Sequence, residues 1–332
     1  MAYDALLITT FGGPNGMADV MPFLENVLRG RNVPRERMEE VAAHYRLFDG
    51  ISPINAQNRA LKRSLEERMR HHSPALPVYI GNRNWHPYLT DTVRQMAADG
   101  VRRAAAFVAS GYGSYSGCRQ YLEAIVKARE SIGEQAPLID KLRLFYNHPL
   151  FIQANADNLC DAFALLPEAE RANALLLFTG HSIPVAMAAT CRYEEQLREA
   201  ARLTASAVGH ADWHLVYQSR SGPPQQPWLE PDICDVIREQ AEDGVRAMVI
   251  APIGFTSDHV EVVYDLDTEA KALCEELGVR MVRAAAAGHH PAFVEMVHDL
   301  LAERNENRAI RPAIGHHGAS HDICPADCCP AG

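Results

Sequence analysis

The chain has 332 residues, 47% hydrophobic and 22% charged, enough for one large or two ordinary domains with full cores. A net charge of −10 and a pI near 5.8 argue against nucleic acid as the main partner. No apolar run reaches the roughly eighteen residues of a transmembrane segment, and the opening MAYDALLITTFGG carries no basic leader or cleavage site, so a cytoplasmic protein is expected.

Strand-like segments are expected at Ala5 to Thr10, Pro77 to Gly81, Arg103 to Ala109 and Lys141 to Tyr146, then at Ala174 to Phe178, His214 to Gln218, Arg246 to Ile253 and Val279 to Ala284. Amphipathic helical patterns lie between them, at Ala60 to Met69, Thr90 to Ala98, Cys118 to Arg129 and Glu194 to Ala207. Strands separated by helices predict an α/β fold with parallel sheets. The halves also repeat. VYIGNRNWHPYLTDTVRQMAADGVRRAAAFVAS at Val78 to Ser110 parallels VYQSRSGPPQQPWLEPDICDVIREQAEDGVRAMVIAPI at Val216 to Ile253, and both pass through Asp-Gly-Val-Arg. Duplication predicts two similar lobes, residues 1–148 and 149–315, with a cleft between them and a cysteine-rich tail at 316–332.

Several stretches carry chemistry. In NALLLFTGHSIP, His181 follows a strand, where ligands of open α/β sheets bind, and its ring can exchange a proton near neutral pH. In IGFTSDHVEVVYDLDTE, Ser257 or Asp258 is the expected helix cap, and Glu261, Asp265 and Glu269 follow at intervals of four. Such a row drifts on an α-helix and runs straighter where the helix has a π-bulge. Parallel sheets put His181 and Glu261 at one edge, where they could move protons while the carboxylates guide a hard divalent cation. Ser52 and Asn55 precede a helix, placed either as caps or as ligand donors, whereas Tyr115, Tyr121 and Arg119 crowd the end of the third strand. Arg29 and Arg31 are further carboxylate partners. Five of the eight cysteines are scattered, but Cys324, Cys328 and Cys329 fall within six residues of a polar tail. Four thiolates hold a [2Fe–2S] cluster, and spacing alone does not choose the fourth.

FGGP at Phe11 to Pro14, DVMPFLENVLRGR at Asp19 to Arg31, GISPIN at Gly50 to Asn55 and GNRNWHPY at Gly81 to Tyr88 resemble the ferrochelatase family, as do TGHSIP at Thr179 to Pro184 and PIGFTSDHVE at Pro252 to Glu261. The resemblance covers nearly the whole chain, and YSGCRQY and YQSRSGPPQ are most similar to the actinobacterial branch. It implies two Rossmann-like lobes, each a four-stranded parallel sheet flanked by helices, clasping a saddled porphyrin that receives Fe2+. His181 is implied as proton acceptor and Glu261 as its catalytic partner, both near the iron, with Asp265 and Glu269 along the iron path. The actinobacterial likeness implies coproporphyrin III as substrate, with protoporphyrin IX the alternative, and a coproheme decarboxylase downstream. Ser52, Asn55, Tyr115, Tyr121 and Arg29 are the implied propionate partners. The resemblance also implies a [2Fe–2S] cluster on Cys160, Cys324, Cys328 and Cys329. Phe11 and Asn84 stand where cluster-free relatives carry a tyrosine and a histidine. The competing reading is a non-catalytic tetrapyrrole or iron carrier, which would not need both His181 and Glu261.

Overall fold

In the computed structural model, residues 2–30, 33–70 and 75–331 are described; Arg31, a candidate carboxylate partner, lies outside them. Eight strands form two parallel four-stranded sheets. The first has the order β2-β1-β3-β4, from β1 (Ala5–Thr10), β2 (Val78–Asn82), β3 (Arg103–Val108) and β4 (Leu138–Lys141). The second repeats it as β6-β5-β7-β8, from β5 (Leu175–His181), β6 (Trp213–Gln218), β7 (Ala247–Ala251) and β8 (Arg280–Arg283). The expected two-lobed α/β architecture is the one observed.

Alternation along the strands explains how each sheet is covered. Leu6, Ile8 and Phe107 of the first sheet face a core that also contains Phe178, Val249 and Leu176 of the second. Leu7 and Ala106 point the other way, beneath the helices Leu89–Ala98 and Gln120–Glu130. Leu175, Leu177 and Ile250 likewise point away from the shared core, toward the helix Ile233–Glu242. Central strands buried on both faces read as continuous apolar runs, which is why ALLITT and ALLLF stand out in the sequence.

The repeated Asp-Gly-Val-Arg has a specific cause. The helices Leu89–Ala98 and Ile233–Glu242 both end on a glycine with positive φ, Gly100 at 80° and Gly244 at 95°. Val101 N–H donates to Met96 and Gly100 N–H to Ala97; Val245 and Gly244 do the same to Gln240 and Ala241. This paired return of N–H groups to the last carbonyls needs a residue tolerant of the left-handed region, with an apolar residue after it.

Several boundaries differ from expectation, two of them with a clear cause. The strand expected at Lys141 to Tyr146 ends at Lys141, because β3 offers partners only for Leu138 to Lys141. The apolar residues beyond it, Phe145 and Tyr146, are buried in the shared core instead. The helix expected to be capped by Ser257 or Asp258 is preceded by His259, and Asp258 bonds to Gln57 of the first lobe and to Arg283.

The helices Pro149–Ala164 and Pro291–Asn305 pack against each other, and the latter returns to the first lobe. There Glu295 meets Arg68 at 2.6 Å and Glu303 meets Arg143 at 2.7 Å, the second pair almost completely buried. The tail then crosses the lobe junction, with Asn147 donating to the His317 carbonyl and His316 N–H to Glu199. None of the described helices is long and apolar enough to cross a membrane.

Candidate active site and thiol cluster

His181 is the last residue of β5, three residues deeper into the sheet than its sequence pattern suggests. Pairing with Gln218 on β6 holds its backbone, and Tyr193 donates its hydroxyl to the His181 carbonyl at 2.9 Å. The ring is fixed as well. Nδ1 lies 2.5 Å from the Ser182 carbonyl oxygen, which can only accept, so Nδ1 carries a proton and Nε2 is left as the base. Nε2 faces Glu261 Oε2 at 3.6 Å, and the same oxygen is 3.8 Å from His259 Nδ1. The imidazole and the first glutamate of the acidic row therefore share one cavity.

Glu261 sits in the short helix Val260–Val262, which runs directly into a π-helix, Val263–Ala270. A π turn takes more than four residues, so groups four apart stay nearly in line, and the expected straight row of Glu261, Asp265 and Glu269 follows. Asp265 is held by Gln218 Nε2 at 3.1 Å and by the Ser219 hydroxyl. Ser219 adopts a positive φ of 61°, the turn that brings its hydroxyl back onto the row. Beyond exposed Glu269 opens a cavity of about 790 Å³ lined by Glu230, Asp232, Asp235 and Cys234.

The electrostatics grade along the row. Burial works against the His181 imidazolium, but Glu261, with Asp265 behind it, outweighs burial and raises the pKa above the ordinary histidine value. Burial pushes the Glu261 carboxyl up, yet His181, His259 and His44 together hold it down to about 2. For Asp265 burial dominates: reinforced by Glu261 and Glu269, it drives the carboxyl up to about 7 against the hydrogen bonds from Ser219 and Gln218. At neutral pH the row thus offers a firm anion beside a base, followed by a carboxyl poised to exchange its proton.

The first lobe supplies the opposite wall. The helices Met17–Val27 and Arg35–Arg46 contribute Val20, Phe23, Leu24 and Tyr45 to an apolar cluster that includes Val260. His44 stacks on Tyr264 of the π-helix, ring centroids 3.7 Å apart and planes at 6°, so the acidic row is covered from across the cleft.

Of the expected propionate partners, the structure leaves few free. Asn55 is buried and donates to the Gly13 carbonyl at 2.6 Å and to Asn15 at 3.0 Å. Ser52 is buried against Gly13, whose lack of a side chain makes room for it. Both residues support the Phe11–Pro14 turn, Asn55 through its side-chain amide and Ser52 through its backbone N–H to the Pro14 carbonyl, which leaves the Ser52 hydroxyl without a partner among the described residues. Tyr121 is buried beneath Arg83, whose guanidinium lies 5.0 Å from its ring and 5.3 Å from that of Phe11. Tyr115 is half-buried on a π-helical turn, Tyr115–Arg119, donating to Glu123, and Arg29 is exposed with no ion pair among the described residues. Arg83 was not singled out by sequence, although it sits two residues before Trp85 in the repeated loop. Asn84 is buried with its amide nitrogen unpartnered, and Asn26 donates to its backbone carbonyl.

The tail cysteines converge, but on a different partner from the one expected. Cys160 is exposed on the helix Pro149–Ala164; besides burial, the groups acting on its thiol are Asp157 and Asp161, not the tail. Cys118, buried in the turn after β3, takes its place. Its thiol interacts with that of Cys324, which holds the Cys324 thiol down to about 5 and, together with burial, pushes Cys118 well up. Cys328 and Cys329 form a second pair, Sγ to Sγ 3.7 Å, with Cys329 at a positive φ of 51°. Two sulfurs bound to one tetrahedral metal at about 2.3 Å stand roughly 3.8 Å apart. Four thiols gathered in this way are the donor set a [2Fe–2S] cluster takes, so the residues present fit it. Among the described residues it is therefore Cys118, following β3, and not the expected Cys160, whose thiol interacts with the tail.

Comparison with known proteins agrees with this geometry. The sequence profile described as ferrochelatase matches residues 3–305. A ferrochelatase of Rhodopirellula baltica is 57% identical over 98% of this chain and 93% of its own. A coproporphyrin III ferrochelatase of Streptomyces coelicolor is 50% identical over 99% of this chain and 94% of its own. Among solved structures, SirB from Bacillus subtilis with Fe3+ shares the fold at 15% identity, with a TM-score of 0.55 over 91% of this chain and 97% of its own. The chain belongs to the ferrochelatase family of metal-chelating enzymes.

Proposed function

We propose that the protein inserts Fe2+ into coproporphyrin III to give coproheme, with His181 as proton acceptor and Glu261 as its partner. The observation that carries this reading is the 3.6 Å approach of His181 Nε2 to Glu261 Oε2 at the head of the acidic row. A planar porphyrin points its two pyrrole N–H groups at its own centre and blocks the metal. A saddled one exposes an N–H to an outside base, and the planar product then fits the bent pocket poorly. Nε2 of His181 is the free base of a tautomer fixed at Nδ1, and ionised Glu261 stabilises the imidazolium formed when it takes a pyrrole proton. Asp265 and Glu269 lead the hydrated cation from the acidic cavity toward that point. Fe2+ is hard enough for oxygen ligands, and a row with one histidine holds it loosely enough to pass it on.

Coproporphyrin III is favoured over protoporphyrin IX by the likeness to the Streptomyces coelicolor enzyme. Its four propionates call for cations and donors at the lips of the cleft. Tyr115, Arg83, Arg119, Arg29 and the Ser52 hydroxyl are the candidates, the Asn55 amide being committed to the turn it supports. Coproheme keeps its propionates, so a decarboxylase must consume it. The cluster is proposed as [2Fe–2S] on Cys118, Cys324, Cys328 and Cys329. Its four bonds would fasten the tail across the first-lobe turn, and thiolate ligation fits the reducing cytoplasm.

Steady-state iron insertion measured side by side with coproporphyrin III and protoporphyrin IX tests the assignment. A higher kcat/KM for coproporphyrin III is expected, and preference for protoporphyrin IX would overturn the substrate. His181→Ala should abolish insertion while porphyrin binding, followed by fluorescence quenching, persists. Unchanged turnover in that variant would remove the mechanism. No insertion by the native chain into either porphyrin would leave the non-catalytic carrier.

A further inference from the structure

His321 belongs neither to the cleft nor to the four thiols, yet it stands where both sulfur pairs can be touched. Its Nε2 lies 3.7 Å from Cys328 Sγ. The ligating atoms of His321, Cys324 and Cys328 all fall within 4.8 Å of one another. Cys324 belongs to the pair with Cys118 and Cys328 to the pair with Cys329, so one imidazole spans the two pairs. The side chain is exposed, so it approaches from the solvent side, whereas Cys118 is buried. A thiolate bound to iron has no proton to give and can only accept, so the ring must be the donor to it.

We infer that His321 is a hydrogen-bond donor to the sulfurs of the cluster and sets its reduction potential from outside the ligand set. The inference rests on the proposed four-thiolate cluster. One-electron reduction takes the pair of ferric irons to one ferric and one ferrous iron and adds a negative charge that spreads onto the ligating sulfurs. An N–H aimed at those sulfurs stabilises the reduced form more than the oxidised one, so it raises the potential. The effect needs only the N–H, whatever the charge on the ring. It also explains why an exposed histidine lies against two cysteines when the rest of the imidazole has open solvent available.

The sulfur pairs already supply four ligands, which leaves His321 outside the set. Cys329 adopts its left-handed backbone in the arrangement that turns its sulfur to the same side as that of the adjacent Cys328. Were His321 itself a ligand, one of those two cysteines would be left over, and the backbone strain would have no purpose.

The test uses the full-length protein purified anaerobically with its cluster. Iron and acid-labile sulfide are quantified, and the visible spectrum is followed during a dye-mediated dithionite titration in native, His321→Ala and His321→Gln proteins. The expected result is native-like iron and sulfide in all three. His321→Ala should be harder to reduce, by about tenfold in the ratio of reduced to oxidised cluster at a fixed potential, or about 59 mV for one electron. His321→Gln, which keeps an N–H donor of similar reach, should recover part of that shift. An unchanged potential in His321→Ala overturns the inference. So does loss of the cluster in His321→Ala with retention in Cys329→Ser, which would make His321 a ligand. Absence of iron and sulfide from the native protein would instead remove the cluster, a failure distinguishable from the other two.

Discussion

Arg143 and Glu303 form an ion pair whose side chains are each only 1% exposed, and removing the cation should be among the most destabilising single changes in the chain. The guanidinium donates to both Glu303 oxygens, at 2.7 and 2.8 Å, and to the carbonyls of Leu144 and Pro312 at 3.1 and 2.8 Å. It therefore joins the exit of β4, the last long helix and the start of the tail. Arg143→Met keeps most of the volume but leaves a carboxylate buried with no cation, a loss of roughly 3–5 kcal/mol. Unfolding entropy scales with chain length, and for a chain of this size about 4 kcal/mol corresponds to a fall of about 6 °C in Tm. The double variant Arg143→Met with Glu303→Met removes both charges and should recover most of the loss, because the desolvation cost disappears with the pair. Thermal unfolding by circular dichroism at neutral pH measures all three. A fall of less than about 1 °C for the single variant, or a double variant as unstable as the sum of the singles, would refute the reasoning.

Other expectations can be checked with the same preparation. His181 must be neutral to accept a proton and its pKa is raised, so kcat/KM should climb as pH rises through that value. Glu261→Gln removes the chief raising influence and leaves burial, so the acidic limb should move to lower pH while the plateau drops. Asp265 is raised to about 7 from an ordinary value of 3.8, so the folded state is penalised for ionising it as pH climbs through that window. Asp265→Asn should accordingly raise Tm at about pH 8 and make no difference below about pH 4, where the acid is protonated both folded and unfolded. An equal effect at both pH values would deny the shift. Cys118→Ser should abolish the visible absorbance of the proposed cluster and Cys160→Ser should leave it; the reverse result would restore Cys160 as the ligand.

Much of this protein can be read from local pattern. The central strands are legible because burial on both faces forces uninterrupted apolar runs, and the duplication is legible because each helix end needs the same left-handed glycine followed by an apolar residue. His181 and the Glu261, Asp265 and Glu269 row are legible for a related reason. A strand end and a helix with a repeat of four put side chains in directions that sequence spacing alone prescribes.

The remaining features depend on contacts between residues far apart in the chain. Asn55 looks like a free donor until the Phe11–Pro14 turn is folded against it, and Arg83 has no signal until Phe11 and Tyr121 bracket it. The strand expected through Tyr146 stops at Lys141 because pairing requires a neighbour as well as apolar residues. The proposed fourth cysteine depends on tertiary contact in the same way. Cys118 and Cys160 are equally plausible by spacing, but the tail crosses the junction between the lobes and comes to rest on the turn after β3. Local sequence sets the direction of each side chain, while tertiary packing decides which distant groups it meets.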